Sequence, residues 1–228
     1  MAFAPSDPMR VYVSGAVPAT ATTPLRRAYF YRSTDGGQTF VERELALEGE
    51  ERNAHVLAVD PTNADRVFLR MTRRVTDAVP ERLLLSEDGG ETWSVVASVV
   101  EITGFALSDD GTHAWVGGWD GAFLRSDASG AAGTFVPVST APDLRVRCLS
   151  WRAPSAGAPG ELWVCVDDIL GPFALARSTD LGQSLDPVWG FEDASPDTAC
   201  ARCTPVGALC PEYWGDVTFD LGLRVDGG

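Results

Sequence analysis

Ser86–Trp93 reads SEDGGETW, and Ser33–Phe40 reads STDGGQTF. Ser, Asp, both Gly and Thr recur in place, and an aromatic residue closes each copy. A chain that writes one phrase twice is repeating either a site or a structural unit, and the flanking residues decide which. Each copy follows a short apolar run, RAYFYR before Ser33 and ERLLL before Ser86. Two weaker copies follow the same rule: GAFLR leads into SDASGAAGTF at Ser126, and FALAR leads into STDLGQSL at Ser178. A further strand-like run comes after every copy: TFVERELAL, TWSVVASVV, TFVPVS and PVWGF.

Upstream of each phrase lies a hairpin signal, two apolar runs around a Pro/Asp/Asn/Gly turn. Ala2–Val13 aligns without a gap on Ala58–Leu69, Ala106–Val116 aligns with one deletion, and Cys148–Val166 forms a looser fourth copy. The unit is therefore four strands, written four times, with opening serines 53, 40 and 52 residues apart. Four-stranded units at a period of roughly 40–50 residues predict β-propeller blades. The expected blades cover about 1–48, 53–100, 101–140 and 144–191, with a cysteine-containing tail over 192–228. No helical periodicity longer than a turn is apparent. The first copy opens at residue 2, so the chain is expected to be part of a larger propeller.

The phrase has a physical reading of its own. A tight turn between third and fourth strands must satisfy its backbone donors. An Asp side chain can accept them, and Gly takes a positive φ without steric cost. Thr starts the next strand, and the terminal aromatic packs back between sheets. The pattern S/T-x-D-x-G-x-T-W/F resembles that of Asp-box (BNR) repeats. Ser33, Asp35, Gly37, Thr39 and Phe40 match it, as do Ser86, Asp88, Gly90, Thr92 and Trp93. Ser178, Asp180 and Gly182 match, while Ser184 and Leu185 weaken the end. The copy at Ser126 departs most: Ala128 replaces the Asp, and two extra residues precede Thr134. The resemblance covers residues 2 to about 191 and implies a propeller of the sialidase-like and sortilin-like superfamily. It assigns these residues a structural duty, so function is expected at the opposite end of the blades.

That superfamily includes sialidases, glycoside hydrolases and receptor domains. A sialidase needs an arginine triad and a Tyr–Glu nucleophile pair. Tyr29 and Tyr31 share one strand, and Tyr12 is the repeat equivalent of Phe68, hence a core residue. A two-carboxylate hydrolase needs acids facing across a cleft. The segments that would build such a cleft contain Trp119–Asp120, Asp167–Asp168 and Arg73–Arg74, the last joined by Arg26–Arg27. Trp119 beside Asp120 suits sugar stacking near a carboxylate, and the arginines suit an acidic partner. Asp167–Asp168 reads more readily as a solvated turn than as a catalytic pair. His55 and His113 read as structural, and neither a metal site nor a cofactor is expected.

Composition narrows the partners. Net charge is −14 and all 18 basic residues are arginine, which disfavours nucleic acid and anionic membranes. No apolar run is long enough to span a membrane. Five cysteines are present. Cys148 and Cys165 lie in two strand-like runs that an antiparallel hairpin would face, as a bridge or as two buried thiols. Cys200, Cys203 and Cys210 in the tail favour an internal disulfide over zinc, which wants four ligands. This pattern points to an extracellular, periplasmic or cell-surface setting. The tail ends in VTFDLGL, where Val217, Phe219, Leu221 and Leu223 share one face and predict a final edge strand. Two functions follow: a non-catalytic scaffold binding a protein or glycan partner, or a glycan-active propeller fragment.

Overall fold

The structure, a computed structural model, describes residues 1–21, 25–74, 79–138, 144–155, 157–167 and 173–190. The tail cysteines, the predicted final strand, Tyr213 and Asp168 lie outside these residues. Sixteen strands form four antiparallel sheets, and no helix occurs among the described residues. The first sheet holds β1 (Ala2–Ala4), β2 (Asp7–Val17), β3 (Arg27–Ser33) and β4 (Val41–Leu45). The second holds β5 (Asn53–Val59), β6 (Val67–Thr72), β7 (Glu81–Ser86) and β8 (Ser94–Val99). The third holds β9 (Ile102–Leu107), β10 (Ala114–Gly118), β11 (Phe123–Ser126) and β12 (Val136–Pro137). The fourth holds β13 (Val146–Arg152), β14 (Glu161–Val166), β15 (Leu175–Ser178) and β16 (Asp186–Trp189). Each is a meander in chain order, the arrangement of a propeller blade.

Alternation along the strands gives every sheet two faces. The register aligns the blades with one another: Val11 pairs with Ser33, Val67 with Ser86, Ala114 with Ser126 and Leu162 with Ser178. The residues one step further on, Tyr12, Phe68, Trp115 and Trp163, are therefore equivalent and point toward the following blade. Tyr12, Phe68 and Trp115 are 0% exposed. Phe68 meets Phe105 of the third blade at 4.9 Å between centroids, and Trp115 stacks on Trp151 of the fourth at 5.2 Å. The core lies in these three junctions rather than within single sheets. Large aromatic area buried at each junction supplies the driving force that holds the blades together.

Both turns of the full phrase close on their own side chains. Asp35 accepts from the backbone N–H of Gln38 and Thr39 and from the Thr39 hydroxyl. Asp88 accepts from the Thr92 N–H at 2.9 Å and the Thr92 hydroxyl at 2.6 Å. Ser33 and Ser86 accept from Gly37 and Gly90. Asp180 repeats the set with the N–H and hydroxyl of Ser184. The Thr and Ser hydrogen bonds hold Asp35 and Asp88 down at about 2. At Ser126, where the Asp is missing, the Ser and Thr134 hydroxyls bond each other directly at 2.6 Å.

The closing aromatic behaves in two ways. Trp93 meets Phe30 of the preceding blade edge-on at 5.0 Å, while Phe40, in the first blade, is 43% exposed. Among the described residues, Trp93 has a preceding blade to pack against and Phe40 does not.

Candidate functional site

The turns 3–4 occupy one end of each blade, so the connections 2–3 and those between blades share the other. There the hairpin between β10 and β11 is short. The Gly118 N–H bonds Ala122 O at 2.8 Å, Gly121 takes φ +92°, and Asp120 accepts from the Ala122 N–H at 3.1 Å. Asp120 thus caps its own turn. Trp119 is the projecting residue, fixed by its backbone N–H to Glu101 O at 3.1 Å.

The strand that faces Trp119 belongs to the next blade. β10 carries Gly117 and Gly118, and a Cβ on Gly117 would lie 2.4 Å from Val146. The bare backbone lets β13 approach closely and brings Arg145 and Arg147 onto the Trp119 ring. The guanidinium carbon of Arg147 lies 3.8 Å from the ring centroid, and that of Arg145 lies 5.0 Å away. Both are within cation–π range. Arg147 is also 3.4 Å from Asp167, whose N–H bonds Arg145 O at 3.0 Å. Among the described residues Arg145 makes no ion pair. The result is an indole with two guanidiniums on it, one of them paired with Asp167.

Trp119 and Asp167 therefore meet through Arg147, a residue the sequence reading passed over inside an apolar run. The signal was the Arg-x-Arg of LRVRC, but nothing in one chain segment says that it will face a Trp in the neighbouring blade. The other arginines go elsewhere. Arg73 donates to Pro80 O at 3.1 Å and lies 3.7 Å from Glu51; Arg74 is exposed. Arg27 lies 3.6 Å from Glu44. Glu51 is buried and takes two 2.7 Å bonds from Arg82. Glu81 is likewise buried, holding Arg70 at 2.7 and 3.1 Å and accepting from the N–H of Arg73 and Ile102. These carboxylates are fully used in joining neighbouring strands and blades.

A cleft of ≈ 750 Å³ lies between the 2–3 connection of the first blade and the segment joining it to the second. Ala19, Leu25, Arg26, Glu44, Leu47 and Glu50 contribute to its wall. Tyr12 is buried and bonds Ala64 O at 2.7 Å, and Tyr29 and Tyr31 sit 6.2 Å apart on one strand. His113 bonds Asp127 at 2.9 Å beside Arg125, and His55 bonds Asn53 at 3.2 Å. No group of three or more His, Cys, Asp or Glu suited to a metal occurs among the described residues. No helix among them is long and apolar enough to cross a membrane. Cys148 and Cys165 form a disulfide between β13 and β14, with Cα atoms 4.9 Å apart.

Fold and comparisons agree that this is an all-β protein of β-propeller blades. The GH74 xyloglucanase from Xanthomonas campestris is similar over 82% of this chain and 29% of its own, with 20% identity and a TM-score of 0.59. The GH74 enzyme of Niastella koreensis is similar over 81% of this chain and 29% of its own, with 16% identity and a TM-score of 0.53. The chain thus spans under a third of the length of either structure. No family model matches the sequence, and comparison with curated proteins finds no significant match.

Proposed function

We propose that this protein is a non-catalytic binding propeller of the Asp-box type, secreted or at the cell surface. Its partner is a protein or glycan that presents carboxylates to Trp119, Arg145 and Arg147. The observation that carries this reading is the pair of guanidiniums on one indole, of which only Arg147 has an acid partner, Asp167, among the described residues. A stacked guanidinium is held in one plane and presents its donor edge, so a carboxylate can be bound with little loss of side-chain freedom. Arg147 already covers a face of Trp119, which favours an anionic group over a bare sugar ring as the first contact. The strong acidity of the rest of the chain makes this spot selective. Like charges elsewhere repel an acidic partner that approaches any other surface. The Cys148–Cys165 bridge supports an oxidising compartment.

A printed array carrying acidic and neutral glycans together with acidic and neutral peptides tests the reading. Binding restricted to carboxylate-bearing probes, and weakened by salt, is expected. Retention of neutral glycans, with hydrolysis of any of them, would overturn it in favour of a glycan-active protein.

A further inference from the structure

β13 carries one residue more than β14 at the point where it meets the Trp119 cluster. Val146 pairs with Val166 and Cys148 with Cys165, so Arg147 has no partner across the hairpin and forms a β-bulge. A bulge takes its extra residue out of the strand's alternation and re-aims the side chain. That is how Arg147 comes to lie over the Trp119 ring, 3.8 Å from its centroid. An unpaired residue is also less firmly held, so something else must fix the bulge if the guanidinium is to stay on the ring.

The third blade shows how a bulge at this place is held when no ligand group is carried on it. Counted from the equivalent residues Trp115 and Trp163, the two hairpins match pair for pair. Gly104 pairs with Gly117 where Cys148 pairs with Cys165, Ile102 with Gly118 where Val146 pairs with Val166, and Thr103 is the extra residue. Thr103 turns its hydroxyl inward, donating to Gly117 O at 3.4 Å and to Val146 O of the fourth blade. The bulged side chain pins its own bulge. Arg147 cannot do this, because its guanidinium is engaged with Trp119 and Asp167. The adjoining glycine pair is replaced by the disulfide Cys148–Cys165. On the other side of the bulge the Asp167 N–H bonds Arg145 O at 3.0 Å. Arg147 is thus held between a covalent crosslink and a backbone hydrogen bond.

We infer that Cys148 and Cys165 are the positioning residues of this site: their bridge fixes the bulge that places Arg147 on Trp119, and the site is complete only in the oxidised chain. The ligand in this inference rests on the binding reading above, whereas the placement of Arg147 does not. The bridge forms by exchange with a donor disulfide. One thiolate attacks the donor, giving a mixed disulfide and releasing one donor thiolate; the other thiolate then displaces the second. The chain gains one S–S bond and gives up two protons and two electrons, and the donor is reduced to two thiols.

Nuclear magnetic resonance of arginine-labelled protein tests the placement without any ligand. The ring current of an indole shifts a group over its face upfield. One Nε–H signal of the original chain is therefore expected to stand apart, to vanish in Arg147→Lys and to return to the ordinary position in Trp119→Leu. In Cys148→Val/Cys165→Val, a β-branched pair keeps the cross-strand packing without the crosslink, and the signal is expected at the ordinary position. The variant Cys200→Ser/Cys203→Ser/Cys210→Ser is expected to show the shifted signal when refolded with oxidised glutathione and the ordinary one when refolded in dithiothreitol. A shifted signal in either unbridged protein, or none in the bridged chain, would overturn the inference. Titration with a glutamate 20-mer and an oligogalacturonate separates it from the binding reading. Unbridged protein is expected to bind about 2–10-fold more weakly, the effect of ordering one free side chain on binding. Equal binding by bridged and unbridged protein would overturn the inference. A bridged chain that shows the shifted signal and binds neither probe would overturn the carboxylate reading and leave the positioning role standing.

Discussion

Gly90 is where the meaning of the repeated phrase changes. Read along the chain, its glycine is needed for a turn at φ +92°. In the folded molecule it is also the seat for Phe30, so the phrase joins blades as well as strands. Gly90→Ala should cost about 2–5 kcal/mol, strain and overpacking combined. Gly133→Ala, at φ +77° with nothing nearby, should cost only about 1–2 kcal/mol. Chemical denaturation of the two variants checks this, and equal losses would remove the packing role. Asp88 makes a second residue-scale prediction. Its folded pKa of about 2 lies below the ordinary 3.8, so its stabilisation is complete above that value and is lost as pH falls toward 2. Asp88→Asn should lower the melting temperature at pH 7 and flatten the acid limb of a melting-temperature profile between about pH 4 and 2. An unchanged acid limb would show that this carboxylate does not set acid stability.

At the scale of elements, strand order and turns were legible because each rests on local pattern: period 2, a turn residue and a phrase every blade. The Cys148–Cys165 bridge was half legible. Hairpin geometry allowed it, and the register pairs the two residues directly. Removing it, as Cys148→Ser/Cys165→Ser, frees a loop of 17 residues and should cost about 3 kcal/mol. That corresponds to roughly 6–12 °C in melting temperature for a domain of this size. A melt within 1–2 °C of the original would contradict it. What the sequence hid were contacts between elements far apart in the chain. Glu81 looks like any acid at a strand start, yet it is buried and bonds β9 through the Ile102 N–H as well as Arg70. Glu81→Ala should destabilise by about 3–5 kcal/mol, because a half-buried guanidinium and two N–H groups lose their acceptor. The Trp119–Arg145–Arg147 cluster stayed hidden for the same reason, since its members come from different blades.

For the whole molecule, the proposed function divides the labour between the two ends of the blades. One end carries four closing turns that serve packing, and the other carries the indole with its two arginines. The central claim is that binding belongs to the second end alone. Its most direct measurement is calorimetric titration with a glutamate 20-mer and with an oligogalacturonate, against three proteins: the original chain, Arg145→Ala/Arg147→Ala and Asp88→Asn. The original chain is predicted to bind at least one probe, and the double arginine variant to bind it at least about tenfold more weakly, the loss expected when charge-assisted hydrogen bonds are removed. Asp88→Asn is predicted to bind as the original does, though it melts earlier. The account is contradicted if the original chain binds neither probe, if the arginine variant binds undiminished, or if folded Asp88→Asn loses the ligand.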